Sequence, residues 1–312
     1  MKKTISIIIL SFIPMLIITG QSLSKVGEPF QIGADESVYL MSPRWSPDGS
    51  QISVTSNNYI GIYLISFPDG ELTLLSEESA AGYGAKWSHD GKYIATRVAK
   101  FQDKRRYNAV VIFDAFDKTR REITEYKTSL PGIPFWTQDD SYLYLNHTDG
   151  FHSYSVDEKS TEPISGEILY VKKDNLFRRD TETKSEAKID AISERIINIA
   201  YSPDNSRAAL ELLGGSLYVM EIESGELTSV GEGYRPVWSP DNKYIAFMVT
   251  EDDGHRYLAA DIYTCRYDGS DRKNLTNTDN SLEMNPTWSP DGNFIAYDIH
   301  NTGVIYIQEV KY

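Results

Sequence analysis

One pattern recurs six times along this 312-residue chain: PRWSPDGSQISV at 43–54, AKWSHDGKYIAT at 85–96, PFWTQDDSYLYL at 134–145, IAYSPDNSRAAL at 199–210, PVWSPDNKYIAF at 236–247 and PTWSPDGNFIAY at 286–297. Each copy carries an aromatic residue (Trp45, Trp87, Trp136, Tyr201, Trp238, Trp288) and an acid three positions on (Asp48, Asp90, Asp139, Asp204, Asp241, Asp291). Seven positions after the aromatic stands an apolar residue (Ile52, Ile94, Leu143, Ala208, Ile245, Ile295). The residue after the acid is Gly49, Gly91, Asp140, Asn205, Asn242 or Gly292, the types that tolerate positive φ. Each copy therefore reads as strand, tight turn, strand. Proline presets φ in these turns, and short Asp and Ser side chains bond the local backbone, so the repeated acid is expected to be a turn device. Six copies spread through a molecule cannot converge on one substrate.

A second alternating hairpin follows the first in the clear copies: GIYLISFPDGELTLL from Gly61, SLYVMEIESGELTSV from Ser216 and DIYTCRYDGSDRKNLT from Asp261. Four strands per unit, at aromatic spacings of 42, 49, 37 and 50 between adjacent clear units, match the ~40–45-residue period of a β-propeller blade. The expected fold is all-β: a propeller of six or seven blades of four antiparallel strands, with the aromatic filling the wedge between neighbours. The blade count turns on the 65 residues between Trp136 and Tyr201. They hold either a seventh blade with a degraded inner strand near Glu162–Ser165 or an extra hairpin on a six-bladed ring; seven is preferred. The last copy stops one outer strand short. Glu28–Gly33 supplies a strand that would close the ring as a clasp and remove a sheet edge.

These units resemble the TolB-like propeller repeats, relatives of WD repeats, through the hairpin at Trp238–Phe247 and the DIY…DG…LT hairpin at Asp261–Thr276. The resemblance runs from about residue 28 to 312. It implies a propeller, and its members include periplasmic interaction proteins and the propeller portions of prolyl-oligopeptidase-like enzymes. The α/β domain that precedes the TolB propeller has no room here, and the GxSxG turn of the oligopeptidases is absent.

Lys2 and Lys3, an apolar run over Ile5–Thr19 and the small or polar exit Gly20–Ser22 read as a secretory signal peptide, residues 1–22, ahead of one propeller domain over 26–312. An uncleaved anchor is the competing reading, but the run is shorter than the ~20 residues a span needs and contains Pro14. No cysteine stands at the exit to take a lipid. The expectation is a periplasmic or secreted monomer, not inserted in the membrane once the signal is cleaved.

With 31 Lys+Arg against 45 Asp+Glu, the chain carries a formal charge of −14, which disfavours nucleic acid as a partner. The sole cysteine, Cys265, cannot form an internal disulfide, and no Cys/His cluster suggests zinc. In antiparallel blades the SPDG turns share one face of the ring, and the second-to-third and fourth-to-first connections share the other. The long connections, including 97–108 and 250–260, fall on that second face, where binding is expected. Its sharpest feature is a basic segment interleaved with aromatics: Arg97, Lys100, Phe101, Lys104, Arg105, Arg106 and Tyr107. It suits an acidic protein partner or a polyanionic glycan, although a solvated hairpin tip is the bland alternative. Ser42, Asn198, Arg235 and Asn285 stand just before the inner strands, at the channel mouth, where a small polar ligand or ordered water would sit. His147, His152 and His255, with His300, fall in connections of the second face. They motivate the alternative of a metal-dependent oligouronide lyase or another carbohydrate-active propeller, since oligogalacturonate lyases are propellers of similar repeat type with a His-bound metal. No catalytic set, cofactor or metal is expected, and a non-enzyme is favoured: an exported protein-protein interaction module of the cell envelope.

Overall fold

The computed structural model describes residues 22–33, 37–129, 132–147, 150–156, 167–172, 174–190 and 192–312. Residues 1–21 of the expected signal peptide (1–22) and the expected inner strand near 162–165 lie outside the described residues.

Seven antiparallel sheets follow one another along the chain, at 40–76, 86–122, 135–155, 167–189, 196–232, 234–274 and 283–311, the last joined by Ser24–Ile32. They are the blades of a β-propeller, numbered here 1 to 7. Five show four strands, while blades 3 and 4 show three each among the described residues. The seven-blade reading holds.

The ring is built by packing between neighbours. Buried apolar clusters join blades 1 and 2, 2 and 3, 4 and 5, 5 and 6, 6 and 7, and 7 and 1. Between blades 3 and 4 aromatic rings do this work, with Phe151 4.9 Å from Tyr144 and 5.7 Å from Tyr170. The repeated tryptophan fills the wedge and also ties it. In three of the five its indole N–H donates to the carbonyl of the residue before the aromatic one blade back: Trp87 to Arg44 (3.2 Å), Trp136 to Lys86 (3.0 Å) and Trp238 to Ala200 (2.8 Å), while those of Trp45 and Trp288 find no partner among the described residues. Tyr201 differs. Its hydroxyl donates to the Leu169 carbonyl (2.8 Å) in blade 4's strand Glu167–Lys172.

The clasp is present and longer than expected. Ser24–Ile32 pairs antiparallel with Val304–Lys311, from Ser24 opposite Lys311 to Ile32 opposite Ile305. Both ends of the described chain thus share blade 7, and one sheet edge is covered.

At one face, the repeated acid does what its spacing implies. Ser46 donates to Asp48 (2.6 Å), and Asp48 accepts the Ser50 N–H (3.1 Å). The same two bonds recur at Asp139, Asp204, Asp241 and Asp291 and, with Lys92 as the backbone donor, at Asp90. The next residue is left-handed in every copy, from φ 57° at Asp140 to 75° at Gly292. Bonds from Ser46 and Ser50 hold the Asp48 carboxyl below the usual carboxylate range.

A candidate binding face around a charged axis

The opposite face departs from the regularity of the turns. In blade 2 the second and third strands run ten residues each, Tyr93–Gln102 and Arg105–Asp114, joined at Asp103 and Lys104 with φ of 48° and 63°. Two consecutive left-handed residues make the tight turn whose twist suits a hairpin. In blade 6 the partners are Tyr244–Asp252 and Tyr257–Arg266. The segments expected as irregular loops, 97–108 and 250–260, are therefore largely regular ladder. Pairing runs to the tip because the strand residues satisfy each other's backbone groups.

Lys100, Phe101, Lys104, Arg105 and Arg106 are exposed on the blade 2 tip, Phe101 at 69%, and Tyr107 is half-buried. The Lys100 ammonium lies 3.8 Å from the Tyr126 ring centroid, and Arg106 donates to Asn108 (2.8 Å). Arg97 is separate from this group. It is buried at the hairpin base, its guanidinium 4.6 Å from the Tyr83 ring centroid. The blade 6 tip carries the opposite sign, with Glu251, Asp252 and Asp253.

Exposed apolar residues gather on this face too. Leu213 (63%), Leu258 (54%), Ile60 and Ile197 lie in or beside its connections, as do Tyr83, Ile133 and Tyr257. On the turn face, the one comparable side chain among the described residues is Phe116. An apolar set concentrated at one end of a rigid scaffold, rimmed by charge, is the surface pattern of a docking site.

At the centre of the face the four expected mouth residues are joined by two carboxylates. Ser42, Arg235 and Asn285 sit at strand irregularities with φ of 54–55°, each before a proline. The Ser42 N–H (2.8 Å) and the Asn285 amide (2.7 Å) donate to Asp298 Oδ1. The Arg235 N–H (3.0 Å) and the Asn198 amide (3.2 Å) donate to Glu211 Oε2. These acids turn bulged, irregular strand starts into fixed ones, since each accepts a backbone N–H that has left its ladder. Burial raises both, Asp298 to about 6, against the hydrogen bonds that favour its charge.

Three cations face the same axis. Arg44 lies within electrostatic reach of Arg235, Asp298 and Tyr59, groups drawn from blades 6, 7 and 1. The Arg235 guanidinium reaches the Tyr59 hydroxyl (3.4 Å), bridging blades 6 and 1 past blade 7. Lys86 in blade 2 completes the set. Its side chain is exposed although protein crowds around it, and that crowding followed by Arg44 repulsion pushes its ammonium down to about 8. Burial, then Arg235, lowers the Arg44 guanidinium to about 10.

The histidines divide. His152 is exposed on blade 3, and the His147 side chain lies outside the described residues. His255 and His300, from blades 6 and 7, line one recess of about 530 Å³ with Asp252, Arg256 and Tyr257. Among the described residues no group of three or more His, Cys, Asp or Glu is placed to hold a metal ion. Cys265 is buried, which pushes its thiol up to about 12. No helix among the described residues is long and apolar enough to cross a membrane.

The architecture is that of a seven-bladed β-propeller. Among solved structures, the chain is similar to a TolB-type protein of Agrobacterium tumefaciens, with 16% identity, 93% of this chain and 97% of that one covered, and a TM-score of 0.55. It is also similar to a chain in the crystal structure of the mitotic checkpoint complex, with 14% identity, 99% and 98% covered, and a TM-score of 0.59. No protein-family model and no curated protein sequence matches the chain. At these identities the likeness is one of fold.

Proposed function

We propose that this protein is an exported interaction module of the cell envelope, monomeric, that docks a protein partner on the face bearing the two long hairpins. The observation that carries this reading is that, among the described residues, exposed apolar side chains collect on that face, with Phe30 and Leu74 on outer strands and Phe116 the one on the turn face. The basic tip, Lys100 to Tyr107, favours an acidic patch on the partner, and the acidic tip at 251–253 sets its orientation by charge complementarity. Similarity to a chain of a multiprotein complex is in keeping with such a role. Export rests on the sequence of residues 1–22.

Crosslinking in intact cells, with mass spectrometry of what is captured, tests the reading. A defined partner should be recovered from the envelope fraction, and reversing the charge of Arg105 and Arg106 should cut its yield at least tenfold. Recovery of no partner, or one indifferent to the reversal, would refute the docking face. Fusing residues 1–25 to a phosphatase active only outside the cytoplasm tests export; an inactive fusion would remove it.

A further inference from the structure

The strand that closes the ring enters the body through a polar socket on blade 6. Leu23, one residue ahead of that strand, is 1% exposed and packs between blades 6 and 7 with Tyr244, Ile262 and Val310. Its N–H donates to the Tyr244 hydroxyl (3.2 Å), which donates in turn to Asp271 Oδ2 (3.1 Å). The Lys273 ammonium donates to the Leu23 carbonyl (2.9 Å) and lies 3.1 Å from Asp271 Oδ1. Ser22 is exposed, and its hydroxyl donates to both Asp271 oxygens (2.7 and 2.8 Å). Against burial, bonds from Ser22, Lys273 and Tyr244 hold the Asp271 carboxyl below the usual carboxylate range, so it is an anion at neutral pH.

The sequence puts a cut at the edge of this socket. Gly20 and Ser22 are small residues three and one positions before the Ser22–Leu23 bond, the spacing of a signal-peptide cleavage site. Hydrolysis by a signal-cleaving protease spends one water on that bond, leaving a carboxylate on Ser22 and an α-ammonium on Leu23. The new charge stands beside a core, where it is costly unless a counter-charge meets it. Asp271 is placed to be that counter-charge. It is already joined to the Leu23 nitrogen through the Tyr244 hydroxyl, and the cut vacates the lone pairs that Ser22 filled. We propose that the mature chain begins at Leu23 and that its α-ammonium pairs with Asp271 and Tyr244, so that signal removal fastens the closing strand of the ring. This rests on the export reading. Lys273 shares the carboxylate; Arg266, 5.0 Å from the Tyr244 ring, and Tyr312, 5.4 Å from it ring to ring, are the titratable groups packed on the other side of Tyr244.

Mass spectrometry of the chain recovered from outside the cytoplasm should read Leu23 as its first residue. A chain that keeps Met1 would remove the export reading and this pair with it, whereas an exported chain cut at another bond would overturn the pair alone. The pair itself is tested on protein that starts at Leu23, with the α-amine free or acetylated. An α-amine titrates at ~8 in an unfolded chain and higher when paired with a carboxylate. Its stabilisation is therefore complete below pH ~8 and is lost as pH rises through the folded value. At neutral pH the free-amine protein should melt at least ~2 °C above the acetylated one, and the gap should close as pH passes the folded value. Asp271→Asn should remove the gap, and Lys273→Gln, which leaves the carboxylate in place, should keep it. Equal midpoints for the free and acetylated parent, or a gap untouched by Asp271→Asn, would each overturn the pairing.

Discussion

The two faces of this ring are made from the same strands and differ in almost every chemical respect. On one, each turn is closed by a local circuit, such as the Ser239 hydroxyl and the Lys243 N–H both donating to Asp241, and some neighbouring turns are joined directly, Asp140 accepting the His89 and Asp90 N–H groups and Asn242 the Asp204 N–H. On the other, carboxylates such as Asp298 and Glu211 reach to neighbouring blades, and Arg235 bridges to Tyr59, which is 176 residues away in sequence. Local circuits make the turns alike and leave little to vary. Long-range ones let each blade contribute a different group to a common centre. That contrast is why recognition is proposed for the hairpin face.

The sharpest way to break the comparison is to remove what sets both faces in register. Trp238 is 7% exposed, packs in the core between blades 5 and 6 and is tied to Ala200. Trp238→Ala should cost about 3–5 kcal/mol, the range for large aromatics in cores, read by denaturant unfolding. A loss below about 1 kcal/mol would mean the wedge is not what holds the ring.

Next in size is Asp298. Its folded pKa of about 6 lies above the ~3.9 of an unfolded aspartate. Between those values the folded chain keeps a proton that the unfolded chain has released, so this group stabilises at low pH and the contribution is lost as pH rises from roughly 4 to 6. The total is at most about 3 kcal/mol. Unfolding in urea across that range should show a downward slope that Asp298→Asn flattens; an identical slope in the variant would place the titrating group elsewhere.

Asp241→Ala, on the turn face, should cost about 1–2 kcal/mol through the lost turn bonds and leave partner capture untouched. The double charge reversal at Arg105 and Arg106 should do the opposite, changing stability by no more than about 0.5 kcal/mol while abolishing capture.

The fold was legible because the repeat encodes turn chemistry. Asp48 and Gly49, and their five counterparts, specify the hairpin whatever lies around them. The mouth was half legible. Ser42, Arg235 and Asn285 precede prolines that mark the inner strands, and Asn198 follows the same register. Asp298 and Glu211 carried no such mark. They stand ten residues after the aromatic, where the other blades have Thr55, Arg97 or Met248, so nothing in the repeat singles them out. Arg44 and Lys86 were missed for a related reason, because the residue before each tryptophan varies freely and only ring closure brings two of these together. Arg97 belongs to a basic run in sequence, yet the alternation of a strand turns it inward to Tyr83. His255 and His300 meet in one recess because the long hairpin of blade 6 reaches toward blade 7.

Hydroxyl-radical footprinting of the protein with its captured partner tests the assignment of recognition to one face most directly. Protection should fall on Phe101, Tyr257 and Leu258, with Phe116 as reactive in the complex as in the free protein. Protection of Phe116 with the hairpin tips left open would contradict it.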